Sequence, residues 1–183
     1  MTDEEIIREI KNGNNSAYRE LVLRYQSMIA STVFGMLGNS PEAEDIGQEV
    51  FIRFYNAINN FRGDSAVGTY LTRIAINLSL NEIKRRKRKK AIFINDEFFD
   101  IAEQVDDGNL GLIEDKEVIN RAIESLTPKF RSVLVLRMID GYSTKEVAQI
   151  LKIPLGTVLS RLTRAQEKLK ELLAPLMELS HES

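Results

Sequence analysis

Three groups of residues in this 183-residue chain have types and spacing that could do chemistry. Asp45, Gln48 and Glu49 stand at i, i+3 and i+4, so a helix would bring them to one face. Two carboxylates one turn apart can ligate a metal, dock on a basic partner, or simply face water. Lys84-Arg85-Arg86-Lys87-Arg88-Lys89-Lys90 is an unbroken cationic run. Such a run is a solvated helix end, a nuclear localisation signal, or a contact for a polyanion whose counterions it displaces. Thr157, Ser160, Arg161, Arg164 and Lys168 repeat at helical spacing and would offer hydroxyls and cations to base edges and phosphates in a major groove, or to solvent. The metal-hydrolase reading of the carboxylates lacks company. The chain has no Cys, its lone imidazole is His181 near the C-terminus, and no Gly-rich phosphate loop accompanies the acids. Thiolate chemistry and imidazole triads are excluded with it.

Charge is distributed unevenly behind a net value of -2. Residues 1–90 hold 14 basic and 11 acidic side chains, residues 91–115 hold no basic and 8 acidic, and residues 116–183 hold 11 basic and 8 acidic. Two mildly basic segments therefore flank an acidic one. A hydrophobic share of 43% and a charged share of 28% place the chain among globular proteins. With only short apolar runs and an acidic N-terminus (MTDEEII), a soluble cytoplasmic protein without a membrane span is expected.

The elements that must hold these groups read as helices throughout. Thr2-x-x-Glu5 is a capping box for a short helix that Gly13 closes. Ala17, Leu21, Val22, Tyr25, Ile29, Val33 and Leu37 predict a long amphipathic helix from about Ser16, stopped at Gly38-Asn39. Ser40-Pro41 opens a helix to about Asn60 with Ile46, Val50, Phe54, Ala57 and Ile58 as its buried stripe. Residues 61–65 are a loop, and a helix from about Ala66 runs into the cations. Periodicity is lost over 91–115, which reads as a flexible acidic linker. Helix resumes at Asp115 with Val118, Ile119, Ala122, Ile123 and Leu126 on one face. Thr127-Pro128 starts the next, which ends at Gly141. Ser143-x-x-Glu146 caps a two-turn helix, and Pro154 starts a long one to about Leu173 that buries Val158, Leu162, Ala165, Leu169 and Leu172. Short helix, tight turn, long helix is the helix-turn-helix order. The expected class is all-α: two small helical domains, 1–90 and 116–183, joined by the linker 91–115.

The segment Leu126 to Leu173 resembles region 4 of bacterial group IV sigma factors, the extracytoplasmic-function class of the sigma-70 family. Ala43 to Phe51 (AEDIGQEVF) resembles the region 2 helix that docks on RNA polymerase. Phe61-Arg62-Gly63-Asp64-Ser65, followed by Tyr70 to Asn77 (YLTRIAIN), resembles the promoter-melting segment. The likeness covers nearly the whole chain in order and spacing.

That resemblance implies a transcription initiation subunit, not an enzyme, with no cofactor and no metal. Asp45, Gln48 and Glu49 would face the clamp helices of the largest polymerase subunit, with Phe51 and Phe54 supporting them from below. Arg62, Gly63, Asp64 and Ser65, with Arg73 and Asn77, would hold an unstacked base of the minus-ten element, repaying a few kcal/mol of unstacking. Phe61 and Tyr70 are nearby aromatics that serve this site or the core. Lys84, Arg85, Arg86 and Arg88 would hold phosphates. Thr157, Leu159, Ser160, Arg161, Thr163, Arg164 and Lys168 would meet the minus-thirty-five element. Further implied partners are the flap of the second-largest polymerase subunit and an anti-sigma factor. The acidic linker would either mimic nucleic acid inside the polymerase or act as a plain tether.

Three positions depart from the family pattern. Tyr70 stands where Trp is usual, Lys152 where the turn commonly has Gly, and Leu159 where a cation is usual. The competing readings are a self-sufficient helix-turn-helix repressor and a carboxylate metal enzyme.

Overall fold

The computed structural model describes residues 1–96 and 115–179, and all regular structure among them is helical. In chain order the elements are α1 (Asp3–Lys11), α2 (Asn15–Leu37), α3 (Pro41–Ala57), α4 (Val67–Asp96), α5 (Asp115–Ser125), α6 (Pro128–Leu134), α7 (Thr144–Leu151) and α8 (Leu155–Leu179). The tether expected within 91–115 is helical at its start, where α4 continues to Asp96, and otherwise lies outside the described residues up to Asp115.

Local sequence starts most of these helices. Both capping boxes form: Glu5 N–H donates to Thr2 Oγ1 (3.3 Å) while Thr2 N–H donates to Glu5 Oε2 (2.7 Å). Ser143 and Glu146 repeat the exchange at 2.8 and 3.3 Å. Each such cap is worth about 1 kcal/mol. Asn14, slightly earlier than expected, caps α2 by accepting from Ser16 and Ala17. Ser40 accepts from Ala43 with Pro41 behind it. Thr127, by contrast, makes no side-chain cap, so Pro128 alone sets the start of α6.

Burial corrects several expected faces. On α3, Ala43 and Phe51 join Val50 and Phe54 in the core, while Ile46 and Ala57 are only half-buried. The helix ends at Ala57 and its last turn tightens to a 3-10 turn at Ile58–Asn60. Ile119 on α5 and Leu172 on α8 are exposed, against expectation. The larger surprise is α2. Besides packing on α1, α3 and α4, it packs on α5, α6 and the turn after α6. Its C-terminal half is therefore covered on more than one side, which buries Thr32 and Met36 at positions its apolar stripe does not include, while Leu23 and Phe34 stay exposed.

The helix expected from Thr127 to Gly141 is not uniform. Residues Val135–Ile139 wind as a π-helical turn, with Asp140 N–H donating to Val135 O at 2.9 Å. A π turn inserts one residue into the helical count and re-aims the chain beyond it. Here Gly35 of α2 faces it: a Cβ at Gly35 would stand 2.9 Å from Val135 Cγ1. Past the turn, the Asp140 carboxylate accepts from Ser31 Oγ (3.1 Å) and Thr32 Oγ1 (2.8 Å). The C-terminal half thus docks directly on the N-terminal half.

Candidate nucleic-acid interface

The first surface is the outer face of α3. Because Ala43, Val50 and Phe54 turn inward, Asp45 and Gln48 are exposed, and Glu49 is half-exposed in an ion pair with Arg53 (2.7 Å). Phe51 lies beneath, its carbonyl accepting from Tyr18 Oη at 2.7 Å. Ile52, 54% exposed, and Tyr55, 45% exposed, continue the same face. Sequence reasoning missed them, although Ile52 follows Asp45 at i+7. Among the described residues no group of three or more His, Cys, Asp and Glu gathers as a metal site.

The second surface is the loop before α4. Phe54, Phe61 and Tyr70 form a triangle of edge-on contacts with centroids 5.2 to 5.8 Å apart. Tyr70 and Phe61 are thus half-buried packing partners, and the loop bends away at Gly63 with φ near 79°. Lys11 Nζ anchors it by donating to Phe61 O at 2.9 Å. Arg62, Gly63, Asp64, Ser65 and Arg73 line one cavity of about 300 Å³ with Asn60, Phe61 and Tyr70. Asn77 is exposed on α4 but does not line it. A second cavity, about 670 Å³, lies between this loop and α1. Arg73 has a further engagement: its Nη2 donates to Gln149 O of α7 at 3.4 Å.

The basic run on α4 divides in two. Glu82, 8% exposed, accepts from Arg85 Nε and Nη2 (2.6 and 2.8 Å) and from Arg86 Nε (3.1 Å). The Arg85 hydrogen bonds chiefly hold the Glu82 carboxyl below its usual value. Arg86 also donates to Leu37 O (3.3 Å) and Ser40 Oγ (2.9 Å), and pairs with Glu42. It is a brace between α4, the end of α2 and the start of α3, not an outward cation. The spacing Glu82, Arg85, Arg86 signals the ion pairs, whereas the contacts to Leu37 and Ser40 have no local signal. Lys84, Lys87, Arg88, Lys89 and Lys90 are exposed and form no ion pair among the described residues.

The third surface is the pair α7 and α8. Val147 and Ile150 bury against Val158 and Ala165. The turn between them holds Lys152 in the left-handed region at φ 54°, ψ 47°. Lys152 keeps the conformation that Gly usually supplies, at a cost of about 1 kcal/mol. Leu159, Ser160, Thr163, Arg164 and Lys168 are exposed, and Thr157 and Arg161 half-buried. Ser160 Oγ donates to Thr157 O and Thr163 Oγ1 to Leu159 O, both at 3.1 Å, so both hydroxyl protons are spent on the helix. Lys168 pairs with Glu171 at 2.9 Å.

The family model described as Sigma-70 region 2 matches residues 21–89, and that described as Sigma-70, region 4 matches residues 116–169. The ECF RNA polymerase sigma-E factor of Escherichia coli is 36% identical over 97% of this chain and 97% of its own length. The chain belongs to the extracytoplasmic-function group of the sigma-70 family. The RNA polymerase sigma-H factor of Pseudomonas aeruginosa is 33% identical over 96% of this sigma factor and 95% of its own length. Two solved structures share the fold at 22% identity. CnrH in complex with the cytosolic domain of CnrY has a TM-score of 0.68 over 94% of this chain and 97% of that one. The sigma factor RpoE from Bartonella quintana, in complex with the anti-sigma factor NepR, has a TM-score of 0.66 over 86% and 96%. The loop and basic helix of this sigma factor thus fall in region 2, and its helix-turn-helix in region 4.

Proposed function

We propose that this sigma factor joins core RNA polymerase through the Asp45–Gln48–Glu49 face of α3 and directs it to promoters with two separate DNA-reading surfaces. The loop cavity lined by Arg62 to Ser65 and Arg73 takes an extruded base of the minus-ten element. The exposed lysines of α4, with Arg88, hold the adjoining phosphates, and α8 enters the major groove at the minus-thirty-five element. Residues 1–90 and 116–183 act as the two reading units and 91–115 as their tether. Linking two weak contacts through the polymerase makes the second effectively intramolecular.

What carries the reading is the placement of that loop cavity and the free cations along one helix, α4, with Lys84 about 16 Å beyond Arg73 at 1.5 Å per residue. An extruded base needs hydrogen bonds and stacking, and its strand needs phosphate contacts. The protein performs no covalent chemistry of its own and needs neither metal nor nucleotide; it acts in the cytoplasm beside the polymerase. An anti-sigma factor restrains it, as the complex of the Bartonella protein suggests, and its regulon answers to stress or to the state of the envelope.

Run-off transcription with purified core polymerase on a pool of genomic fragments tests this. Defined start sites that require both proteins are the expected result. A palindromic footprint made by the chain alone would instead identify a self-sufficient repressor.

A further inference from the structure

Placed on a helical wheel of about 100° per residue, the exposed side of α8 has two unlike flanks. One carries Thr157, Arg161, Arg164 and Lys168. The other carries Leu155, Leu159 and Thr163, spaced four residues apart, over its first turns, and Gln166 and Lys170 only beyond them. Leu155 is 39% and Leu159 49% exposed. Single exposed leucines are ordinary on protein surfaces. Two on successive turns, at the N-terminal end of the second helix of a helix-turn-helix, occupy the stretch that meets base edges. Thr163 adds no hydroxyl donor there, because its proton goes to Leu159 O.

An apolar flank in a major groove has one complementary target. Among the four bases only thymine presents a hydrocarbon, its C5 methyl, to that groove. Side chains four apart on a helix stand about 5–6 Å from each other, within reach of methyls on neighbouring base pairs. We propose that Leu155 and Leu159 are specificity residues that read thymine methyl groups in the minus-thirty-five element, while Arg161 and Arg164 hold the backbone on the other flank. This rests on the promoter-reading function above and adds the chemistry that selects the sequence. It also accounts for a leucine at 159: a cation there would select guanine or hold a phosphate, and neither contact reads a thymine methyl.

The test uses the holoenzyme, formed from core polymerase and the full chain, on synthetic promoters whose minus-thirty-five segment is randomised. One pool contains thymidine there and the other deoxyuridine, which keeps every hydrogen-bonding group and lacks only the methyl. The wild type should enrich thymines at fixed positions of the first pool and bind the matching deoxyuridine sequence about fourfold more weakly per methyl lost. Leu155→Ala combined with Leu159→Ala should bind both versions equally. Equal binding of the two versions by the wild type overturns the inference and leaves promoter reading intact. An equal loss in wild type and variant also overturns it, assigning the methyl effect to DNA shape. If the holoenzyme enriches no minus-thirty-five sequence at all, promoter reading by α8 fails, and this inference with it.

Discussion

Arg131 Nη1, from α6, donates a 2.6 Å hydrogen bond to the carbonyl of Met36 in the last turn of α2. Its Nη2 donates to the carbonyls of Glu124 and Leu126 at the end of α5. One buried guanidinium therefore closes two helix C-termini, one from each half of the molecule. Those carbonyl ends carry partial negative charge and have no intrahelical partner. That is how a cation sits buried with no carboxylate among the described residues bonded to it. Burial pushes its pKa below the usual arginine value, with Glu124 acting in the opposite sense.

Arg131→Lys should cost about 3 kcal/mol of stability, because an ammonium cannot fork between three carbonyls on two helices. Urea denaturation of the full chain measures it. A loss below about 1 kcal/mol would mean the carbonyls find other partners.

Gly35→Ala should destabilise although Ala is the better helix former, since the new Cβ meets Val135 Cγ1 at 2.9 Å. Overpacking of this kind costs about 1–3 kcal/mol. Adding Val135→Ala should recover part of the loss. Additive losses in the double variant would show that the two positions do not touch.

Asp140 titrates in the opposite sense to a paired surface carboxylate. Burial raises its pKa, and the hydrogen bonds from Thr32 and Ser31 only partly offset this. The folded state then holds this proton more tightly than the unfolded chain does. Its contribution is fully present below the ordinary aspartate value and is lost as pH rises through the elevated one. The stability of wild type relative to Asp140→Asn should therefore grow as pH falls from neutral towards the ordinary aspartate range. Denaturation curves of both proteins from pH 7 down to pH 4 would show a flat difference if the Asp140 pKa is not raised.

Lys152→Gly should stabilise by roughly 0.5–1 kcal/mol, since Gly adopts the left-handed turn without a Cβ conflict. Thermal denaturation reads this directly. A lower melting temperature would mean that the Lys152 side chain contributes more than its backbone conformation costs.

On α3, Asp45→Arg and Ile52→Asp should each weaken capture of core polymerase at least tenfold. Stability should shift by less than about 0.5 kcal/mol, as expected for exposed positions. Undiminished capture by Ile52→Asp would confine the docking face to its polar residues.

Local signals were legible from sequence alone. Thr2-Glu5, Ser40-Pro41 and Ser143-Glu146 start helices because a cap needs only neighbours within one turn. The acidic face of α3, the loop before α4 and the outer face of α8 could be placed for the same reason. Periodicity also identified part of the buried sides, Val50 and Phe54 on α3 and Val158 and Ala165 on α8.

Tertiary structure decided the rest. Thr32, Gly35 and Met36 gain meaning only when a second half packs on α2, and nothing within one turn of them announces it. Arg86 and Arg131 look in sequence like surface cations, yet they brace helix ends far away in the chain. Which charges remain outward for nucleic acid depends on carbonyls distant in sequence, since a guanidinium goes wherever unpaired acceptors are brought to it.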